Sequence, residues 1–338
     1  MDIDRYIASN QHTWKQLDAL AAQGSVRVSA LSNEDLEELL RLYQQVSAQL
    51  SFVRTHYREP SLTASLSATV ANAHQLIYRR KGGGWRSVVR FFSATFPAAV
   101  WHSRRAVAVS AVIFFLPAVI VCLWLLQSPA ALDASATPEF RQTYVNDLFE
   151  QYYYDRSPLQ FFGEVTVNNI WVSLQVFAGA ATAGLYSAFL LASNGVAVGQ
   201  AAAWMISEGE AERFWGFILP HGMLELSAIV IAGGAAFQLG WVLLAPGDRS
   251  RADALREEGQ RTLTIVLGLG AMFFAAGLIE GFITGRGFPV ALRVGVGALG
   301  WVAALAYFGL RGAAAERNGD HGLLVAPPRT WDDEPTFT

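Results

Sequence analysis

One histidine and two glutamates stand out in this 338-residue chain because they lie within otherwise apolar stretches. His221 and Glu225 are four residues apart, so a helix would present both on one face. Glu280 lies in a later apolar run. A histidine and two carboxylates with one open position suit zinc, and a bound zinc ion activates water for hydrolysis. These residues therefore predict a metal site, a binding site for a transported ion or polar substrate, or a polar cluster that joins helices.

Other polar residues are expected at the same depth. A rise of about 1.5 Å per residue places them in the outer half of their apolar stretches. Glu280 and Arg293 flank one short turn, so a simple ion pair between them is an alternative to a functional role. The predicted cluster comprises His221, Glu225, Glu280, Asn168, Asn169 and Arg293.

Pro220 and Gly222 flank the histidine. Proline removes a backbone donor and glycine loosens the same turn. The pair predicts a helix break whose free amide groups would point toward the polar cluster, as in many membrane ion sites.

Long apolar stretches must position these residues, since 52% of the chain is hydrophobic and 16% is charged. The stretch 106–127 has 22 residues without a charge, which is enough to cross a bilayer. The sequence predicts an all-α membrane bundle of about six spans, in which 195–206 is short or re-entrant. The further apolar runs are 167–192, 195–206, 214–244, 263–284 and 289–310.

Basic residues near the first span predict its orientation. The stretch 79–105 holds seven basic and no acidic residues, whereas 128–164 holds two basic and six acidic ones. We therefore expect a bacterial inner-membrane protein with both termini in the cytoplasm. The net charge of −3 gives no basic surface for nucleic acid.

The flanking segments suggest four regions. Residues 1–84 predict a cytoplasmic helical bundle, in which Ser32 caps a helix and Asp35 completes the cap. Residues 85–103 predict an amphipathic helix at the inner membrane surface. The membrane domain is expected at 104–311, and a disordered tail at 312–338.

Several motifs resemble one known family. The run 214–226 reads FWGFILPHGMLEL, and the later run 276–282 reads AGLIEGF. With the earlier Asn168-Asn169-Ile170 and Asn194-Gly195, these motifs resemble the stage II sporulation protein M family over about 104–310. The cytoplasmic helices, including 73–78, resemble those of longer members from bacteria that do not sporulate.

The resemblance implies a membrane scaffold rather than an enzyme, because the family's namesake localises two cell-wall hydrolases. Longer members are similar to proteins encoded beside a MoxR-type ATPase. We therefore expect a scaffold in an envelope-associated complex, with the lipid bilayer, a cytoplasmic MoxR-type ATPase system and envelope enzymes as partners. Glycine-rich faces predict a homodimer. The alternative is a transporter or an intramembrane metal-dependent hydrolase that uses His221, Glu225 and Glu280; the scaffold needs no cofactor, whereas the hydrolase would bind zinc or another divalent metal.

Overall fold

The computed structural model describes residues 3–26, 32–57, 59–77, 84–149 and 157–324. The secondary structure of these residues is helical throughout, which confirms the predicted all-α class. The chain divides into two compact units, residues 1–86 and 87–338. We call them the N-terminal unit and the membrane unit.

Among the described residues up to 77, the N-terminal unit forms three helices: α1 (Ile3–Val26), α2 (Asn33–His56) and α3 (Pro60–Ile77). Ser32 caps α2 through a reciprocal capping box with Asp35, as predicted from the sequence. Apolar residues at helical spacing form one core, and the indole of Trp14 donates a 2.7 Å hydrogen bond to Gln49. The buried core residues are Trp14, Leu17, Ala21, Leu39, Leu42, Val46, Leu50, Val53, Leu66 and Ala73.

The segment predicted as an amphipathic surface helix has two different halves. Its first half, α4 (Gly84–Arg90), contains no buried residue, and Trp85 is 78% exposed. After a π-helical turn, α5 (Phe96–His102) buries Phe96 and the four residues that follow it. The surface-helix prediction is therefore wrong for α5, which belongs to the protein core.

Within the described residues, five helices are long and apolar enough to cross a membrane. A sixth helix, α9 (Pro158–Ala178), is 21 residues long and carries Asn168 and Asn169. Two short helices, α7 (Pro129–Ser135) and α8 (Pro138–Thr143), precede it. The long helices are α6 (Arg104–Gln127), α9 (Pro158–Ala178), α10 (Leu185–Ser207), α11 (Ala211–Leu244), α12 (Arg251–Ile279) and α13 (Val290–Ala306).

The predicted short or re-entrant segment at 195–206 is wrong. These residues form the second half of α10, a continuous helix of 23 residues. The helix boundary lies earlier, where Ala183 and Gly184 both adopt left-handed backbone conformations. Small apolar residues surround this turn, so the charge pattern does not reveal it.

Contacts define two ends of the membrane unit. At the first, Arg141 contacts Glu208 in the α10–α11 turn, and one cleft joins Gly209 to Gly287. We call this the Glu208 end. At the other end, Nη1 of Arg104 lies 3.9 Å from Oε2 of Glu316. We call this the Arg104 end. The long helices alternate between these ends.

Two glycines on α10 bring its backbone against that of α6. A Cβ atom at Gly195 would lie 2.0 Å from the carbonyl oxygen of Phe114, and one at Gly199 would lie 2.1 Å from that of Ala118. Both helices advance by four residues between these contacts, so they run parallel. Small residues with this spacing allow close approach of membrane helices.

The predicted disorder from residue 312 is wrong for residues 312–324. Residues Gly312–Arg317 form α14, and Arg261 and Thr264 of α12 bond the carbonyl oxygens of His321 and Gly322. The Arg261 guanidinium also pairs with the buried Glu258 at 2.6 Å. Residues 325–338 of the predicted tail lie outside the described residues.

A histidine beside this ion pair is uncharged at neutral pH. His102 lies 3.9 Å from Glu258, but burial and the nearby Arg261 charge lower the pKa of His102 to about 4. The Glu258 carboxylate is therefore held by Arg261 rather than by the imidazole.

Replacing Gly199 with alanine should destabilise the membrane unit, because the methyl group would overlap the Ala118 carbonyl oxygen. Overpacking of this kind costs about 1–3 kcal/mol, which thermal unfolding in detergent would measure. Gly259→Ala is the matched control, since a Cβ atom there meets nothing within 4 Å. Equal melting temperatures for the two variants would contradict the α6–α10 contact.

Candidate functional site

Helix α11 supplies two members of the candidate site. His221 and Glu225 are one turn apart and are 5% and 7% exposed. The predicted break at Pro220 and Gly222 is wrong, because α11 continues from Ala211 to Leu244 with Pro220 inside it. Helix α13 packs against this point, where Gly297 leaves room for the Pro220 carbonyl group.

Glu280 lies where α12 passes into a π-helical turn, Glu280–Thr284. Glu280 is 2% exposed, and its Oε1 atom is 3.4 Å from Nε2 of His221. On the other side of the imidazole, Nδ1 lies 3.4 Å from the Thr284 hydroxyl. The π-helical turn thus contacts both ring nitrogens of His221, and such turns are frequent at functional sites.

Glu225 completes a compact group of three. Ligand atoms of His221, Glu225 and Glu280 all lie within 4.8 Å of one another. The Asn169 side chain on α9 lies beside the Glu225 carboxyl group. Within the described residues, Oε1 of Glu225 and Oε2 of Glu280 are buried without a hydrogen-bond partner.

The asparagine pair is divided by the fold. Asn169 is half-buried and reaches the cluster, whereas Asn168 is exposed on the same helix. A helix turns by about 100° per residue, so adjacent side chains face different surroundings. Only Asn169 contacts the predicted cluster.

Arg293 is buried but does not neutralise the glutamates. Its Nη1 atom donates a 2.8 Å hydrogen bond to the Thr284 carbonyl oxygen. Its guanidinium carbon lies 4.7 Å from the centre of the Phe217 ring. Among the described ion pairs, none joins Arg293 to Glu280, so the simple pairing considered from the sequence is absent there.

Thr284 and Phe217 are not among the residues predicted for the site, because neither side chain carries a charge. Their spacing from predicted site residues could nevertheless have indicated both of them. Thr284 follows Glu280 by four residues, and Phe217 precedes His221 by four, so each shares a helix face with a predicted site residue.

A cleft of about 430 Å³ opens at the Glu208 end. Phe217 and Arg293 form its inner wall, and Thr284, which Arg293 holds, contacts His221. The cleft lining comprises Gly209, Glu210, Glu212, Arg213, Phe217, Gly287, Val290 and Arg293.

These features define a helical protein of the membrane-spanning type that encloses an ionisable cluster among its own helices. The chain belongs to the stage II sporulation protein M family, whose family model matches residues 111–285, slightly more than half of the sequence. Of the predicted cluster, only Arg293 lies beyond that match. A second model, a domain of unknown function named DUF8413, matches residues 4–79 in the N-terminal unit. No curated protein and no solved structure is detectably similar to the chain.

Arg293→Lys should lower the melting temperature even though it preserves the charge. Lysine lacks the planar guanidinium that stacks on Phe217 while bonding the Thr284 carbonyl oxygen. A loss of about 1–2 kcal/mol corresponds to roughly 3–6 °C for a unit of this size. Arg251→Lys at an exposed helix start is the control. Indistinguishable thermal unfolding of the two variants would refute the structural role of Arg293.

Proposed function

We propose that the chain is an integral inner-membrane protein with six crossings and both termini in the cytoplasm. Six long helices that alternate between the two ends support this topology. Helix α9 is not among the five most apolar helices, but its 21 residues span about 30 Å.

The charge distribution supports the orientation. Residues 104, 105, 249, 251, 256, 311 and 317 are arginines in or near turns at the Arg104 end. The α10–α11 turn at the other end contains Glu208, Glu210 and Glu212. An excess of arginine marks cytoplasmic loops, so the Glu208 end faces outward in this proposal.

Cysteine labelling would test the orientation in a Cys122→Ala background, since Cys122 is the single native cysteine. An impermeant maleimide added to intact cells should label Ser207→Cys and miss Asp248→Cys, both exposed positions. Permeabilised cells should label both. The reverse pattern in intact cells would overturn the proposed orientation.

The proposed function is that of a scaffold in an envelope-associated complex. The observation that carries it is the N-terminal unit, which has its own hydrophobic core and its own family match apart from the membrane unit. A protein built in this way can hold a soluble partner at the membrane. We propose a MoxR-type ATPase system as the cytoplasmic partner and envelope enzymes as outer partners, on the basis of the family resemblance.

An aromatic patch on the N-terminal unit is the proposed contact for the cytoplasmic partner. Phe52 is 39% exposed, stacks on His56 at 4.1 Å and lies 5.4 Å from Tyr6. Tyr57 packs beside Tyr6 at 5.4 Å. Exposed aromatic residues are enriched at protein interfaces, whereas most exposed bundle residues here are polar.

Purification from native membranes in mild detergent would test the scaffold proposal. The tagged full-length chain should retain a MoxR-type ATPase, and Phe52→Ala should reduce its recovery about tenfold, the effect of losing about 1.4 kcal/mol at an interface. Leu40→Ala, at a 45% exposed apolar position of the same helix, is the control. Absence of the ATPase, or equal recovery by both variants, would contradict the proposal.

The proposal includes a homodimer. Most glycines of the predicted faces are used within the chain, but Gly270 and Gly295 meet no other part of the described chain within 4 Å. Close contact between two copies would involve these positions, and light scattering in detergent would give the number of chains per particle.

A further inference from the structure

We propose that His221, Glu225 and Glu280 bind one divalent metal ion of the zinc class inside the membrane unit. The proposal is independent of the scaffold function. It rests on the position of these three side chains and on two carboxyl oxygens that the described residues leave without partners.

The unpartnered oxygens are the first argument. Glu225 and Glu280 are 93% and 98% buried, and each has one oxygen without a hydrogen bond among the described residues. A buried polar atom without a partner is costly, and more so at membrane depth. A cation between the two carboxylates would satisfy both oxygens at once.

The local charge favours a divalent ion. Two carboxylates can supply two negative charges, and the buried Arg293 is engaged by the Thr284 carbonyl group and the Phe217 ring. Buried charges are normally paired or bind metals. A divalent ion would neutralise both glutamates.

The donor types select the kind of metal. One imidazole nitrogen and two carboxylate oxygens form the protein part of many zinc sites that retain an open position. Calcium and magnesium prefer sites made of oxygen alone. The contribution of His221 therefore favours zinc or a neighbouring transition metal.

The distances suit such an ion after a small movement. Bonds of about 2.0–2.2 Å in a tetrahedral site separate neighbouring donors by about 3.4 Å. His221 and Glu280 already have that separation, at 3.4 Å. The remaining separations lie within 4.8 Å, so the Glu225 carboxylate has to approach by at most about 1.4 Å.

Contacts behind the ligands hold them in place. The Thr284 hydroxyl lies at Nδ1 of His221, which directs Nε2 toward Glu280. Asn169 lies beside Glu225, and Arg293 donates a hydrogen bond to the carbonyl group of Thr284. Metal ligands commonly have such supporting hydrogen bonds, which orient the donor atoms. Four helices thus support three ligands.

The cleft at the Glu208 end supplies a route for the ion. Two acids, Glu210 and Glu212, and two arginines, Arg213 and Arg293, line it, so the lining is polar and carries no net charge. Arg213 lies beside Glu210 at 3.7 Å and leaves Glu212 as the second acid of the lining. An open coordination position would face this side, where water could reach it past Phe217 and Arg293.

Metal content of the purified full-length protein would test the proposal. A tag without histidine is required, and the protein is treated with chelator, incubated with zinc chloride and desalted before elemental analysis. We expect about one zinc ion per wild-type chain, since the three ligands form one four-coordinate site. Magnesium or calcium in excess should not displace it.

Three variants locate the bound ion: His221→Ala, Glu225→Gln and Glu280→Gln. Each should weaken zinc binding at least about tenfold, because even the loss of a hydrogen bond that supports a metal ligand weakens binding by about this factor. Glu258→Gln is the matched control, since Glu258 is as buried as Glu280 and lies on the same helix. If that variant does not fold, the exposed Glu164→Gln replaces it.

Thermal unfolding gives a second readout of zinc binding, namely the rise in melting temperature when zinc is added. Zinc should raise the melting temperature of the wild type and of the control, because it binds only the folded state. Glu280→Gln should show a smaller rise, since the substitution removes one of the three ligands.

Two results would overturn the proposal. One is a wild-type protein without zinc, which would mean that a proton alone neutralises the glutamates. The other is equal zinc content in the wild type and all three ligand variants, which would place the ion elsewhere.

Discussion

The position of α11 at the centre of the membrane unit determines the rest of the structure. Helices α6, α9, α10, α12 and α13 all contact it. Within an apolar stretch of 18 residues of α11, 61% is buried inside the protein. Close packing of neighbouring helices against α11 requires residues without bulky side chains. Gly233, Gly234 and Gly240 are three such residues. A helix enclosed in this way presents its polar side chains to other helices rather than to lipid.

Enclosure explains why so few ionisable residues belong to this core. Each charged group within it needs a partner, because neither lipid nor packed side chains can replace water. At the Arg104 end this condition is met by Arg261, which binds Glu258 directly. The His221 cluster differs, since its arginine binds a backbone carbonyl group and leaves two carboxylates facing one imidazole. The first is an ion pair within one helix, whereas the second brings together side chains of two helices.

The sequence predicted the helical class, the Ser32 cap and the residues of the cluster, because apolar periodicity and rare charges are visible in it. It did not predict the turn at Ala183 and Gly184, since small apolar residues occupy both the turn and the helices beside it. Pro220 suggested a break, but the packing of Gly297 against its carbonyl group belongs to a distant helix. The order of residues 318–324 likewise depends on Arg261, about 60 positions earlier in the chain. Long-range contacts of this kind leave no local pattern.

The π-helical turn Glu280–Thr284 sets the angular relation between two stretches of one helix. An additional residue in a turn rotates all that follows by about 100° relative to a regular helix. Before the turn, Gly277 packs against Thr166 and Phe162 of α9; within it, Glu280 and Thr284 face His221 on α11. The turn thereby allows α12 and its continuation to contact first α9 and then α11. Deleting or adding a single residue between 281 and 283 would rotate the two stretches relative to each other, so that one of these two sets of contacts could no longer form.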